Sequence, residues 1–183
     1  MGQQFSDKEI LEMYKEESSR NMALHHLIQK YQQKLYWQIR KIVIDHDDSD
    51  DVLQNTFIKV WKGLENFKED SQLFTWLYRI ATNEALTFLK QKQKRNTTSI
   101  HAIEYQLSKS IESDEYFKGD EIQLKLQQAI LTLPEKQRIV FNMRYYDEMP
   151  YEKMSEVLET SVGALKASYH HAAKKVEDFL LNR

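Results

Sequence analysis

The sequence predicts an all-α protein built as two helical domains joined by a flexible linker. Three observations carry that expectation. Apolar residues recur at spacings of three and four through most of the 183 residues. Four glycines and two prolines, all scattered, are too few for the turns of a strand-rich chain. The helical period lapses over residues 96–120, where a polar stretch divides the chain.

The elements follow in order. Ser6 and Glu9 have the spacing of a capping box, with Phe5 and Ile10 placed as its hydrophobic staple. Leu24, Leu27, Ile28, Tyr31, Leu35, Ile39 and Ile42 form the stripe of a long amphipathic helix. Asp48 or Ser49 is expected to cap a helix burying Val52, Leu53, Phe57, Val60 and Leu64. Asp70 or Ser71 is expected to open another, carrying Phe74, Leu77, Ile80, Ala81, Ala85, Phe88 and Leu89. Beyond the linker, Ile122, Leu126, Ala129, Ile130 and Leu133 begin a second unit. Thr132 and Glu135 suggest a second capping box, with Pro134 in the first turn. A helix with Ile139, Val140 and Met143 follows, then a short one opened by Pro150 with Met154, Val157 and Leu158. Glu159, Thr160 and Ser161 separate it from a last helix with Leu165, Tyr169, Ala172, Val176 and Phe179. A short helix, a three-residue turn and a longer basic helix make a helix-turn-helix outline.

Composition removes several function classes. The absence of cysteine excludes disulfide frameworks, thiol catalysis and cysteine-based zinc sites. Scattered glycines leave no phosphate loop. An EF-hand started at Asp45 would need Gly and Glu where Asp50 and Thr56 stand. Neither Glu-x-x-His nor His-Glu-x-x-His occurs. No apolar run reaches the roughly 20 residues of a spanning helix, and the opening MGQQFSDKEI has no basic or apolar signal region. The expectation is a helical intracellular protein with no catalytic constellation.

The net charge of −2 hides strong local asymmetry. Arg79, Lys90, Lys92, Lys94 and Arg95 face one acid, Glu84. Residues 161–175 hold Lys166, Lys174, Lys175, His170 and His171 with no acid at all. Between these islands lies the acidic linker. Basic islands are the electrostatic footprint of a nucleic-acid binder. At 100° per residue, burying Leu165, Tyr169, Ala172 and Val176 turns Gly163, Lys166, Ala167, His170 and Lys174 outward, with His171 beside them. Such a face suits a major groove, and the small Gly163 and Ala167 permit close approach. Trp61 and Trp76 read first as core residues.

The stretch from Asp51 to Trp61, DVLQNTFIKVW, resembles region 2.2 of bacterial sigma factors. Residues Phe74 to Asn83, FTWLYRIATN, with the basic tail, resemble regions 2.3 and 2.4, while LPEKQR (Leu133 to Arg138) and SVGALK (Ser161 to Lys166) resemble region 4. The layout is similar to that of the extracytoplasmic function (ECF) group. The resemblance implies a region 2-like domain over residues 1–95, a linker over 96–120 and a region 4-like domain over 121–183. It implies a promoter-specificity subunit with no activity or cofactor of its own, working in the bacterial cytoplasm. Its implied partners are core RNA polymerase (the beta-prime clamp helices and the beta subunit) and promoter DNA, with an anti-sigma factor as a candidate regulator. Asp51, Gln54, Asn55 and Ile58 would face the clamp helices. Lys68, Arg79, Asn83 and Lys90 would serve the −10 element, in a pocket built from residues 66–72 and the next helix. Gly163, Lys166, Ala167, His170, His171 and Lys174 would serve the −35 element. Asn55, Glu159, Ser168 and His171 depart from the usual family residues. Glu159 stands where Gly is common and positive φ is awkward. A stand-alone helix-turn-helix regulator is the alternative.

Overall fold

The computed structural model describes residues 5–95 and 121–181, and the expected linker lies outside them. Within the described residues there are eight α-helices, two short 3-10 turns and no strand.

The first unit holds α1 (Asp7–Lys15), α2 (Arg20–Val43), α3 (His46–Gly63) and α4 (Leu73–Arg95). The capping box is present. Glu9 N–H donates to Ser6 Oγ at 3.3 Å, and the Ser6 N–H donates to the Glu9 carboxylate at 2.7 Å. The Ser6 hydroxyl, then its backbone N–H, hold the Glu9 carboxyl below its usual pKa. The long α2 is the hub, packed by α1, α3 and α4 around fully buried Leu27, Leu35 and Ile39. Leu24 and Ile28 lie at the rim of the stripe, half-buried.

Two helix starts differ from expectation. Asp45, not Asp48 or Ser49, caps α3 by accepting the Asp48 N–H at 3.0 Å. Ser49 is buried within the first turn, its hydroxyl donating to the Asp45 carbonyl. The acidic run offered several equivalent caps, and the extended backbone of Asp45 (φ −75°, ψ 139°) decides among them. The fourth helix begins at Leu73 rather than beside Asp70 or Ser71, its first bond running from Trp76 N–H to the Gln72 carbonyl at 3.1 Å. This leaves Asp70 and Ser71 on an open loop.

The second unit comprises α5 (Glu121–Leu131), α6 (Glu135–Tyr145), α7 (Tyr151–Leu158) and α8 (Val162–Leu181). The second capping box does not form: Thr132 Oγ1 donates back to the Ala129 carbonyl at 2.7 Å, and Pro134 itself occupies the cap position. The hydroxyl finishes α5 instead of starting α6. Ile122 is exposed rather than part of the α5 stripe. Ala129, Ile130, Leu133, Phe141, Ala172 and Val176 form the unit's core, with Phe141 stacked on Tyr169 at 5.7 Å.

The two units touch. Helix α4 packs on α7 and α2 on α6, so Ile139, Met143, Met149, Met154 and Leu165 continue the apolar cluster of the first unit. Ile44 bends the chain between α2 and α3 at φ 71° and packs with Leu131 of the second unit. A β-branched residue rarely adopts that conformation.

Candidate nucleic-acid interface

The sequence-derived sites fall on three surfaces. On α3, Asp51, Gln54, Asn55 and Ile58 are all exposed, while Val52, Thr56 and Val60 turn inward. Positions three and four apart share a side of a helix, so these residues form one polar stripe with an apolar spot at Ile58.

The second surface surrounds the start of α4. Trp76 lies half-buried against Phe67, ring centroids 5.0 Å apart, with its outer ring over Gly63. A Cβ built at Gly63 would stand 3.2 Å from Trp76 Cζ2, so the missing side chain is what seats the indole. The edge of that indole, with Asp70, Ser71, Thr75 and Arg79, lines a cleft of about 430 Å³, closed on one side by Glu156 of α7. Trp76 thus serves both core and cleft. Arg79 reaches to 3.8 Å from the Glu159 carboxylate. Asn83 is exposed one turn farther along, and its carbonyl accepts from Thr87 Oγ1 at 2.7 Å. Lys68 and Lys90 are exposed as well. At 1.5 Å per residue, Lys90 stands roughly 16 Å along the axis from Arg79. Arg79, Asn83 and Lys90 are therefore spread along the helix, and only Arg79 belongs to the cleft. Two other cations nearby are committed: Lys92 pairs with Asp48, and Lys59 pairs with Glu84. The acidic run therefore both caps α3 and anchors the basic tail.

The third surface is the helix-turn-helix. Glu159 ends α7 in the left-handed conformation, φ 50° and ψ 41°, as the resemblance, with Gly common at this position, implied. Thr160 Oγ1 donates to the Leu158 carbonyl at 2.9 Å. Ser161 Oγ accepts the Ala164 N–H at 3.3 Å, a cap the motif reading overlooked although Ser before a helix signals it. Gly163, Lys166, Ala167, His170, His171 and Lys174 are all exposed on α8, and a Cβ at Gly163 would meet nothing within 4 Å. Lys166 Nζ sits 5.8 Å over the Tyr151 ring, which also receives Arg144 at 5.2 Å. These contacts orient a cationic edge without neutralising it.

This arrangement defines a class: two packed helical units, with exposed basic residues along α4 and on the outer face of the helix-turn-helix. The profile described as Sigma-70 region 2 matches residues 27–95, and that described as Sigma-70, region 4 matches residues 123–176. The RNA polymerase sigma-H factor of Pseudomonas aeruginosa is 32% identical over 97% of this chain and 95% of its own length. The ECF RNA polymerase sigma-E factor of Escherichia coli is 27% identical, covering 97% and 96%. The chain belongs to the sigma-70 family and is an ECF-type sigma factor, a promoter-specificity subunit of RNA polymerase. Among solved structures, CnrH in complex with the cytosolic domain of CnrY aligns with a TM-score of 0.67 at 22% identity, covering 95% of this chain and 96% of that one. The sigma factor RpoE in complex with the anti-sigma factor NepR from Bartonella quintana aligns at 0.66 with 16% identity, covering 85% and 95%. Both share the fold. Sigma factors are in general promoter-recognition rather than catalytic subunits, and no described helix here is long and apolar enough to cross a membrane.

Proposed function

We propose a division of labour among the three surfaces, with domains over residues 1–95 and 121–183 joined by the linker 96–120. The α3 stripe of Asp51, Gln54, Asn55 and Ile58 docks on the beta-prime clamp helices of core polymerase. The cleft beside Trp76, with Lys68, Arg79, Asn83 and Lys90, takes the unstacked strand of the −10 element. The α8 face of Gly163, Lys166, Ala167, His170, His171 and Lys174 enters the major groove at the −35 element. The chain acts in the bacterial cytoplasm without catalysis or cofactor of its own. An anti-sigma factor is a candidate partner, since two structures of this fold hold one or a cytosolic partner domain.

The observation that carries the reading is the cleft itself. Base capture needs an aromatic wall, small polar groups and a cation, and Trp76, Ser71, Thr75 and Arg79 supply them around one opening. An exposed amide at Asn83 can donate to and accept from a base edge, and the α8 lysines can reach guanine acceptors or phosphates.

The test is transcription in a purified system with core polymerase. Gln54→Arg with Asp51→Lys should abolish core binding while circular dichroism stays helical. Asn83→Ala should slow opening of a paired promoter, because flipping a base costs a few kcal/mol and each lost contact about 1–3. A template pre-melted at the −10 element separates the roles: restored activity marks an opening defect, and unrestored activity marks lost base reading. Wild-type opening by Asn83→Ala removes that residue from the site.

A further inference from the structure

Helices α3 and α4 are tied by two ion pairs, Lys59 to Glu84 and Asp48 to Lys92. The pairs differ in what they hold. Asp48 retains a lysine of the basic tail, whereas Lys59 covers Glu84, the lone acid between Arg79 and Arg95. Glu84 follows Asn83 directly, so their Cα atoms lie about 3.8 Å apart and their side chains leave α4 about 100° from one another. The carboxylate thus borders the exposed face of Asn83 without belonging to it. The Glu84 side chain is 14% exposed and that of Lys59 57%. Lys59 follows Ile58 of the α3 stripe, but its ammonium donates to Glu84.

A strand that reaches Asn83 brings its phosphates within the roughly 10 Å over which charges still act at moderate salt. A bare carboxylate beside Asn83 would repel them, because like charges brought together across an interface oppose binding strongly. As a brace the ion pair would add little, since pairs open to solvent contribute weakly to stability. Buried Val52 and Val60 already seat α3 in the core. What the pair does change is the charge that a strand meets.

We propose that Lys59 is a positioning residue for strand capture: from the neighbouring helix it neutralises Glu84, so that Asn83 presents its amide beside a cancelled charge instead of a bare carboxylate. Lys59 acts on the strand only through Glu84. This deepens the reading of α4 given above and rests on it.

The test uses full-length protein with saturating core polymerase and the paired promoter that scores Asn83→Ala. Lys59→Met keeps the apolar stem and removes the ammonium. It should open that promoter about tenfold more slowly, and the deficit should shrink as salt rises, because screening shortens the reach of the carboxylate. Glu84→Gln alone should stay near wild type. Lys59→Met with Glu84→Gln has no bridge but also no bare carboxylate, and it should return to within about twofold of wild type. Thermal melting of all three should match wild type, as expected for an exposed pair. A double variant as slow as Lys59→Met overturns the proposal, leaving either a brace between the helices or a direct contact by Lys59. Core affinity is read separately by titration and should not change; an equal loss in the single and double variants makes Lys59 a core contact and also overturns it. If Asn83→Ala opens slowly and Lys59→Met at the wild-type rate, the charge mask alone has failed. If Asn83→Ala opens at the wild-type rate, the α4 reading has failed and the mask falls with it.

Discussion

Replacing Tyr78 by Phe removes one oxygen and should cost more than deleting its buried partner. Tyr78 and Gln38 are each 2% exposed, and Gln38 Oε1 and the Asp147 carboxylate both lie within reach of the single proton of the Tyr78 hydroxyl. In Tyr78→Phe the buried amide oxygen loses the hydroxyl donor beside it, a penalty of about 1–3 kcal/mol. Asp147 retains Lys41 and a side chain 22% exposed, so the change leaves it partnered. The expected destabilisation is therefore about 1–3 kcal/mol. Gln38→Leu removes the acceptor together with its need for a donor. The Thr82 hydroxyl still donates to the Tyr78 carbonyl at 2.8 Å and forfeits only a 3.4 Å contact, and Tyr78 still has Asp147. That variant should stay within about 1 kcal/mol of wild type. The double variant, apolar on both sides, should be more stable than Tyr78→Phe alone, with a coupling of about 1–2 kcal/mol. Trp37, Trp61 and Trp76 all lie in the first unit, so urea unfolding followed by tryptophan emission reports on the unit concerned. Additive effects, or a Gln38→Leu more damaging than Tyr78→Phe, would refute the stranded-acceptor argument. Alkali offers a check. Burial first, then Asp147, raises the Tyr78 pKa well above its usual value. Folding therefore favours the protonated phenol, and its contribution is complete below about pH 10 and lost as pH rises above it. Tyr78→Phe should flatten that alkaline decline.

Ser6→Ala should weaken the start of α1 by about 1 kcal/mol, read by thermal melting. Because Ser6 holds the Glu9 pKa below 4.5, its benefit is present above that pH and fades as pH falls, so the variant's deficit should shrink in acid. Glu159→Gly should stabilise the helix-turn-helix by about 1 kcal/mol in urea unfolding, since glycine adopts φ 50° without the penalty a side chain meets. Lys166→Ala and His171→Ala should each weaken −35 recognition by about 1–3 kcal/mol if they read bases, whereas an equal loss on every sequence would mark phosphate contacts.

Local chemistry was legible along the chain wherever it was periodic or had one solution. The stripe from Leu27 to Ile42 and the capping box at Ser6 and Glu9 could be read from residue type and spacing, whereas the left-handed turn at Glu159 was expected only through the family resemblance. So could the outward face of α8, because the positions of Leu165, Ala172 and Val176 set its opposite side. Degenerate signals were not legible. Five acids between residues 45 and 51 could each cap α3, and only the backbone at Asp45 chose. Thr132 could serve the helix before it or the one after, and the end of α5 won. The cleft's outline by Thr75 and Glu156, the seating of Trp76 on Gly63, and the meeting of Lys41, Tyr78 and Gln38 with Asp147 had no local trace. Asp147 lies 106 residues from Lys41 and 69 from Tyr78. Helical periodicity and capping are short-range, written within a few turns of chain. Contacts across such separations depend on how whole helices cross, and that is decided by the summed packing of two units rather than by any residue in them.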